Sequence, residues 1–144
     1  MTPAQQWSRG FAKFSPEVRT VARGAIARMR RRLPGAVEFV YDNYNALVIA
    51  FGASQRMADI VLSIALYPRW VTLFFMNGTK LKDPKKLLEG SGSKIRGIRL
   101  ADGVDLGDPD VIALVEQAAA KSSFRKRELI IKSISKKQRP RRPG

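Results

Sequence analysis

The spacing of apolar and polar positions changes along the chain, and each change marks an element. Val18, Val21, Ala22, Ala25, Ile26, Met29 and Leu33 recur every three or four residues and fall on one arc of a helix turning about 100° per residue. Ser15-Pro16-Glu17 predicts its start: a hydroxyl to cap free amides, a proline at the first helical position and an acid at the positive end of the dipole. Pro34-Gly35 predicts its stop. From residue 36 the period falls to two. Val37, Phe39 and Tyr41 alternate with Glu38, Val40 and Asp42, and after Asp42-Asn43-Tyr44-Asn45 a second run alternates Leu47, Ile49 and Phe51 with Ala46, Val48 and Ala50. A third run carries Ile60, Leu62, Ile64 and Leu66. Tyr67-Pro68-Arg69-Trp70 predicts a tight turn into a fourth run with Val71, Leu73 and Phe75. Short connections between consecutive runs favour an antiparallel meander.

Beyond Asn77-Gly78 the pattern weakens. Asp83-Pro84 predicts a short helix through Leu88, and residues 95–100 a fifth strand at a sheet edge, weakened by Gly97 and two arginines. Asp108-Pro109-Asp110 repeats the cap, proline and acid signature before Val111, Ile112, Leu114, Val115, Ala118 and Ala119. Leu129, Ile130, Ile131 and Ile134 fit a marginal basic amphipathic helix. The fold class is therefore α+β: an N-terminal helix, an antiparallel sheet of four to five strands and a C-terminal helix packed on the same sheet face. One domain is expected over residues 15–122, with an N-terminal extension over 1–14 and a basic, largely disordered tail over 123–144.

Composition narrows the chemistry. The 144 residues include no Cys and no His, which removes thiolate nucleophiles, disulfides, the commonest metal ligand and the commonest general base. No paired carboxylates or activated nucleophile stand at a diagnostic spacing, so no catalytic residue, metal site or cofactor is expected and the chain reads as a non-enzymatic binding module. Residues 1–13 contain no apolar stretch of the secretory kind, and the apolar run from Ile60 to Met76 is broken by Pro68 and Arg69. A cytoplasmic location without membrane insertion is the expectation.

Charge adds a direction. With 27 Lys and Arg against 12 Asp and Glu, the formal net charge is +15. Residues 1–33 hold eight cations and Glu17, residues 34–120 nine cations and ten acids, and residues 121–144 ten cations and Glu128. A neutral body thus lies between two basic ends. On the first helix Arg19, Arg23 and Arg30 project within about 40° of one another, as a ridge on the solvent side. Together with Arg125, Lys126, Arg127, Arg139, Arg141 and Arg142 of the tail, they are the candidate contacts for a polyanion such as nucleic acid. With Ile60 and its alternating partners facing the helices, Val40, Val48, Val61, Tyr67, Trp70, Phe74 and Met76 fall on the outer sheet face. Tyr67, Trp70 and Phe74, with Arg99, are a candidate interface for a second copy or a protein partner, or a platform for unpaired bases. Gly90-Ser91-Gly92-Ser93-Lys94 reads as a turn rather than a phosphate loop, Tyr41 and Tyr44 as packing residues, and Asp102, Asp105, Asp108 and Asp110 mainly as turn and helix-start acids.

Ala65-Leu66-Tyr67-Pro68-Arg69-Trp70-Val71, followed by Phe74-Phe75, Gly78, Leu81, Asp83-Pro84, Leu87-Leu88, Gly90, Gly92 and Arg96-Gly97-Ile98, resembles the YdhG-like family of small bacterial proteins. The resemblance runs from about Pro16 to about Ala120 and includes Tyr41-x-x-Tyr44. It implies a frataxin-like fold, with the first and last helices on one face of a sheet, and implies no reaction. The iron handling associated with that fold needs carboxylates on the first helix, where this chain places Glu17 among arginines. Iron handling or metal delivery therefore stands as the alternative to polyanion binding, and an adaptor using the outer sheet face as a third reading.

Overall fold

A computed structural model describes residues 2–42, 46–100, 106–120 and 129–133. Two helices open the chain, α1 (Pro3–Ala12) and α2 (Pro16–Arg32). They lead into strands β1 (Val37–Asp42), β2 (Leu47–Gly52), β3 (Ile60–Leu66), β4 (Val71–Phe75) and β5 (Arg96–Arg99), then helix α3 (Pro109–Ala119) and strand β6 (Leu129–Ser133). The sheet order is β5-β4-β3-β2-β1-β6. The first five strands form the predicted antiparallel meander, and β6 adds to the β1 edge in parallel.

The predicted starts of α2 and α3 are present. The Ser15 hydroxyl accepts a hydrogen bond from the Val18 amide at 3.2 Å, and the Asp108 carboxylate one from the Asp110 amide at 2.8 Å. Arg30, Arg31 and Arg32 occupy the last turn of α2, where cations complement the dipole. Tyr67 donates its amide to the Trp70 carbonyl at 2.9 Å and closes the turn between β3 and β4.

Four expectations change. Residues 3–12 are helical: Thr2 and Gln5 form a reciprocal capping box, and Trp7 stacks on Phe11 one turn later at 5.4 Å. Residues 129–133 form a strand instead of a helix, in keeping with the β-branched pair Ile130-Ile131. The predicted helix from Asp83 to Leu88 is a turn, because the Asp83 carboxylate takes the Leu87 and Leu88 amides at 2.9 Å each and Lys86 adopts φ 53°. The sheet faces are also re-dealt. Val40 stands opposite Ile49 and so shares its face, towards the helices. A β-bulge opposite Phe51 and Gly52 reverses the expected sides of Ile60 and Val61: Val61 packs on the helix side, Ile60 on the outer side against Val37, Phe39 and Ala50.

All three helices pack on the inner face. Its core joins Ala22, Ile26 and Met29 of α2 and Leu114 and Val115 of α3 to Phe51, Ile64, Leu66, Leu73 and Phe75 of the sheet. The third layer element, α1, seats Gly10 against Leu47, where an added Cβ would lie 3.2 Å from a Leu47 methyl. Trp7 and Phe11 complete that contact.

Candidate polyanion surface and outer sheet face

The three arginines expected to form a ridge on α2 do not form a free solvent face. Their positions start about 20° beyond Ile26, at the border of the apolar arc. Arg30 grips Glu38 of β1 as a fork, with Nε 3.0 Å from Oε2 and Nη2 2.8 Å from Oε1. The Glu38 side chain is 4% exposed and that of Arg30 38%. This guanidinium therefore holds helix to sheet and neutralises a buried carboxylate, which removes it from the expected polyanion contacts. Arg23 lies over the Phe11 ring of α1, 5.2 Å from its centroid, and remains exposed. Arg19 is half-buried, and its Nε is buried with no acceptor among the described residues.

What remains available is the α1–α2 layer as a unit. Arg9 and Lys13 of α1 and its exit, and Arg23 and Arg31 of α2, are all exposed, with Glu17 the one acid in residues 1–33. Arg32 makes a loose pair with Glu116 of α3 at 3.7 Å, both side chains well exposed, so it adds little to stability. Sequence reasoning missed Arg9 and Lys13 because it left α1 out, although Thr2-Pro3-x-Gln5 and the Trp7, Phe11 spacing announce that helix. Arg125, Lys126, Arg127, Arg139, Arg141 and Arg142 lie outside the described residues.

On the outer face three of the four expected interface residues are in contact. Tyr67 and Trp70 pack with ring centroids 5.2 Å apart, and the Arg99 guanidinium sits 4.2 Å over the indole. The indole is thus already stacked within the chain, and the exposed group of this trio is Arg99. Phe74 stands apart from it, lying across Gly97 of β5. Burial raises the Tyr67 phenol above its ordinary pKa, and the Tyr41 phenol likewise. The Tyr41 hydroxyl is buried without a hydrogen-bond partner among the described residues.

The remaining candidates resolve into structure. Asp108 is the cap of α3, while Asp102, Asp105 and Tyr44 lie outside the described residues. No group of three Asp, Glu, His or Cys that could hold a metal ion occurs among the described residues. The Gly90 to Lys94 loop is pinned from both sides: Arg96 donates to the Gly92 carbonyl at 2.6 Å, and Thr79 donates to the Ser93 and Lys94 carbonyls at 3.1 Å each. Among the described residues no helix is long and apolar enough to cross a membrane. Comparison with protein-family models, with curated proteins and with solved structures finds no match to the chain.

Proposed function

We propose that the chain is a non-enzymatic binding module for a polyanionic partner, nucleic acid, engaged by the α1–α2 layer and the basic C-terminal segment. The observation that carries this reading is the eight-to-one excess of cations over acids in residues 1–33, combined with the packing of Arg23 over Phe11 that joins the two helices of that segment into one surface. Phosphate neutralisation by such a surface releases counterions and gives affinity a steep salt dependence. The sandwich of helices on one face of an antiparallel meander supports a frataxin-like, YdhG-like reading of the fold, and that reading contributes no reaction.

The test is titration of labelled single- and double-stranded DNA with the full chain at two salt concentrations. Binding is expected at low salt, weakened at least tenfold by the double charge reversal Arg23→Glu, Arg31→Glu. A chain ending at Ser133 retains β6 and removes Arg139, Arg141 and Arg142, so it separates the helical layer from the terminal cations. Absence of binding at low salt, or binding indifferent to both changes, overturns the reading. Arg30 is unsuited to this test, since its loss also breaks the fork to buried Glu38 that joins helix to sheet.

A further inference from the structure

Only two large hydrophobic side chains among the described residues are exposed, Met57 at 53% and Ile95 at 47%, and both line the same open groove of about 470 Å³. The groove lies at the end of the sheet where β2 finishes and β3 begins, opposite the end where Gly10 of α1 meets Leu47. Met76 and Ile60 form more of its lining, and Ile60 reaches it because the bulge turns that residue outward. A neighbouring cleft of about 690 Å³ against the end of α3 shares Ala58, Ile60 and Asn77 with it, so the groove continues into a more polar cleft.

Both walls are built rigidly. The 3-10 turn Met57–Asp59 is tied down by the Ser54 hydroxyl on the Asp59 carboxylate at 2.6 Å, by the Arg56 amide on the Ser54 hydroxyl at 3.0 Å, and by the Ala53 amide on the Asp59 carbonyl at 3.1 Å. The opposite wall, which carries Ile95, is fixed by Thr79 on the Ser93 and Lys94 carbonyls. Beneath it Gly78 lies so close to Arg96 that an added Cβ would sit 2.4 Å from the Arg96 Cβ. Backbone held this way loses little freedom on contact, and a thioether adapts to the shape of what it meets.

Cations outnumber acids around this groove. Lys94 lines it, Lys80 lines the adjoining cleft and Arg56 directly precedes Met57; all three are exposed and make no ion pair among the described residues, while Asp59, which lines the adjoining cleft, already accepts the Ser54 hydroxyl. We infer that this groove docks a protein partner through a short acidic segment whose bulky aliphatic side chains seat against Met57 and Ile95 and whose carboxylates meet Arg56, Lys80 and Lys94. Aliphatic and thioether anchors offer no platform for stacked bases, which separates this surface from a nucleic-acid site. Cations at the rim select by charge and speed encounter, and the apolar floor supplies the adhesion.

The experiment uses the full chain and three fluorescein-labelled synthetic peptides: glutamates carrying two leucines, the same peptide with serine for leucine, and the leucine peptide with glutamine for glutamate. Fluorescence anisotropy is expected to show binding of the first, with each of the other two at least tenfold weaker. Met57→Asp and Ile95→Asp are each expected to weaken the first peptide at least tenfold, whereas Arg23→Glu leaves it unchanged. As a check independent of any variant, methyl NMR of ¹³C-methionine protein should show Met57 and Met76 shifting on peptide addition and buried Met29 staying fixed. No binding, equal binding of the serine peptide, or unmoved Met57 and Met76 resonances overturns the inference.

Discussion

The two faces of the sheet are built on different rules. The inner face is a field of large apolar side chains, with Leu62, Ile64, Leu66, Leu73 and Phe75 all essentially inaccessible beneath the helices. On the outer face, reading across the strands from β5 to β1, one row runs Gly97, Phe74, Ser63, Ala50, Phe39 and the next Arg99, Thr72, Ala65, Val48, Tyr41. Small residues occupy the centre of both rows, with larger ones to either side. The inner face is specified by burial against another layer, the outer face by the fit of each side chain to its cross-strand neighbour. The inner face therefore suffers from lost volume, and the outer face from added volume.

The largest effect is expected where the inner layer is emptied. Leu73→Ala should cost about 3 kcal/mol, read as a lower urea midpoint with an unchanged slope. A slope that changes as well would mean that the layer yields by loosening rather than by holding a cavity. Next comes the Arg30–Glu38 ion pair, which crosses between layers. Glu38→Ala should cost about 2 kcal/mol by the same measurement, less than the ~3–5 of a fully buried pair because the Arg30 side chain is more than a third exposed. If Arg30→Met in the Glu38→Ala background restores most of the loss, the cost was the stranded cation and not the missing contact.

The outer face is tested by addition. At Gly97 a new Cβ would stand 2.9 Å from the Phe74 ring and 3.0 Å from the Thr72 methyl, so Gly97→Ala should destabilise by about 1 kcal/mol in spite of the backbone entropy it recovers. In a Phe74→Ala background the same change should become neutral or favourable; persistence of the full cost would deny the size-matching rule. The smallest effect concerns Tyr41. Removing its hydroxyl, which has no hydrogen-bond partner among the described residues, with Tyr41→Phe should raise stability by up to about 1 kcal/mol. Since burial raises the Tyr41 and Tyr67 pKa values, the folded state prefers the neutral phenols. Their contribution is complete below the ordinary tyrosine value of about 10 and is lost as pH rises through the higher folded values. The thermal midpoint should hold between pH 8 and 9, fall above pH 10, and fall less in Tyr41→Phe; equal falls would remove Tyr41 from the account.

Local chemistry in the chain announces what is decided locally. Ser15-Pro16, Asp108-Pro109 and Tyr67-Pro68-Arg69-Trp70 each end or begin an element where their hydrogen bonding requires it, and the antiparallel order of β1 to β5 follows from short connections. What stayed hidden depends on partners far along the chain. Nothing near Ile60 signals a bulge, because the extra residue is counted only against Phe51 and Gly52 of the neighbouring strand. Leu129 to Ser133 acquires its state from β1, and its apolar run is too short for periodicity to separate strand from helix. The arginine ridge was visible as an angle on a helical projection, but which of its members is consumed was not, since Glu38 reaches Arg30 only after the chain turns at Pro34-Gly35. The exposed pair Met57 and Ile95 carries no motif at all; it becomes a groove only when two distant loops are pinned side by side.

The parallel pairing of β6 with β1 has a consequence for the order of folding. Glu38 and Leu129 are partners although about ninety residues separate them, whereas each pair from β1 to β4 closes over a short connection. Loop closure of that length costs more entropy than any hairpin, so the meander forms first and waits for its last strand. During synthesis the edge of β1 is consequently a bare row of amides and carbonyls until residues 129–133 emerge, and in that interval it is the place where a nascent chain is most open to pairing with the wrong neighbour.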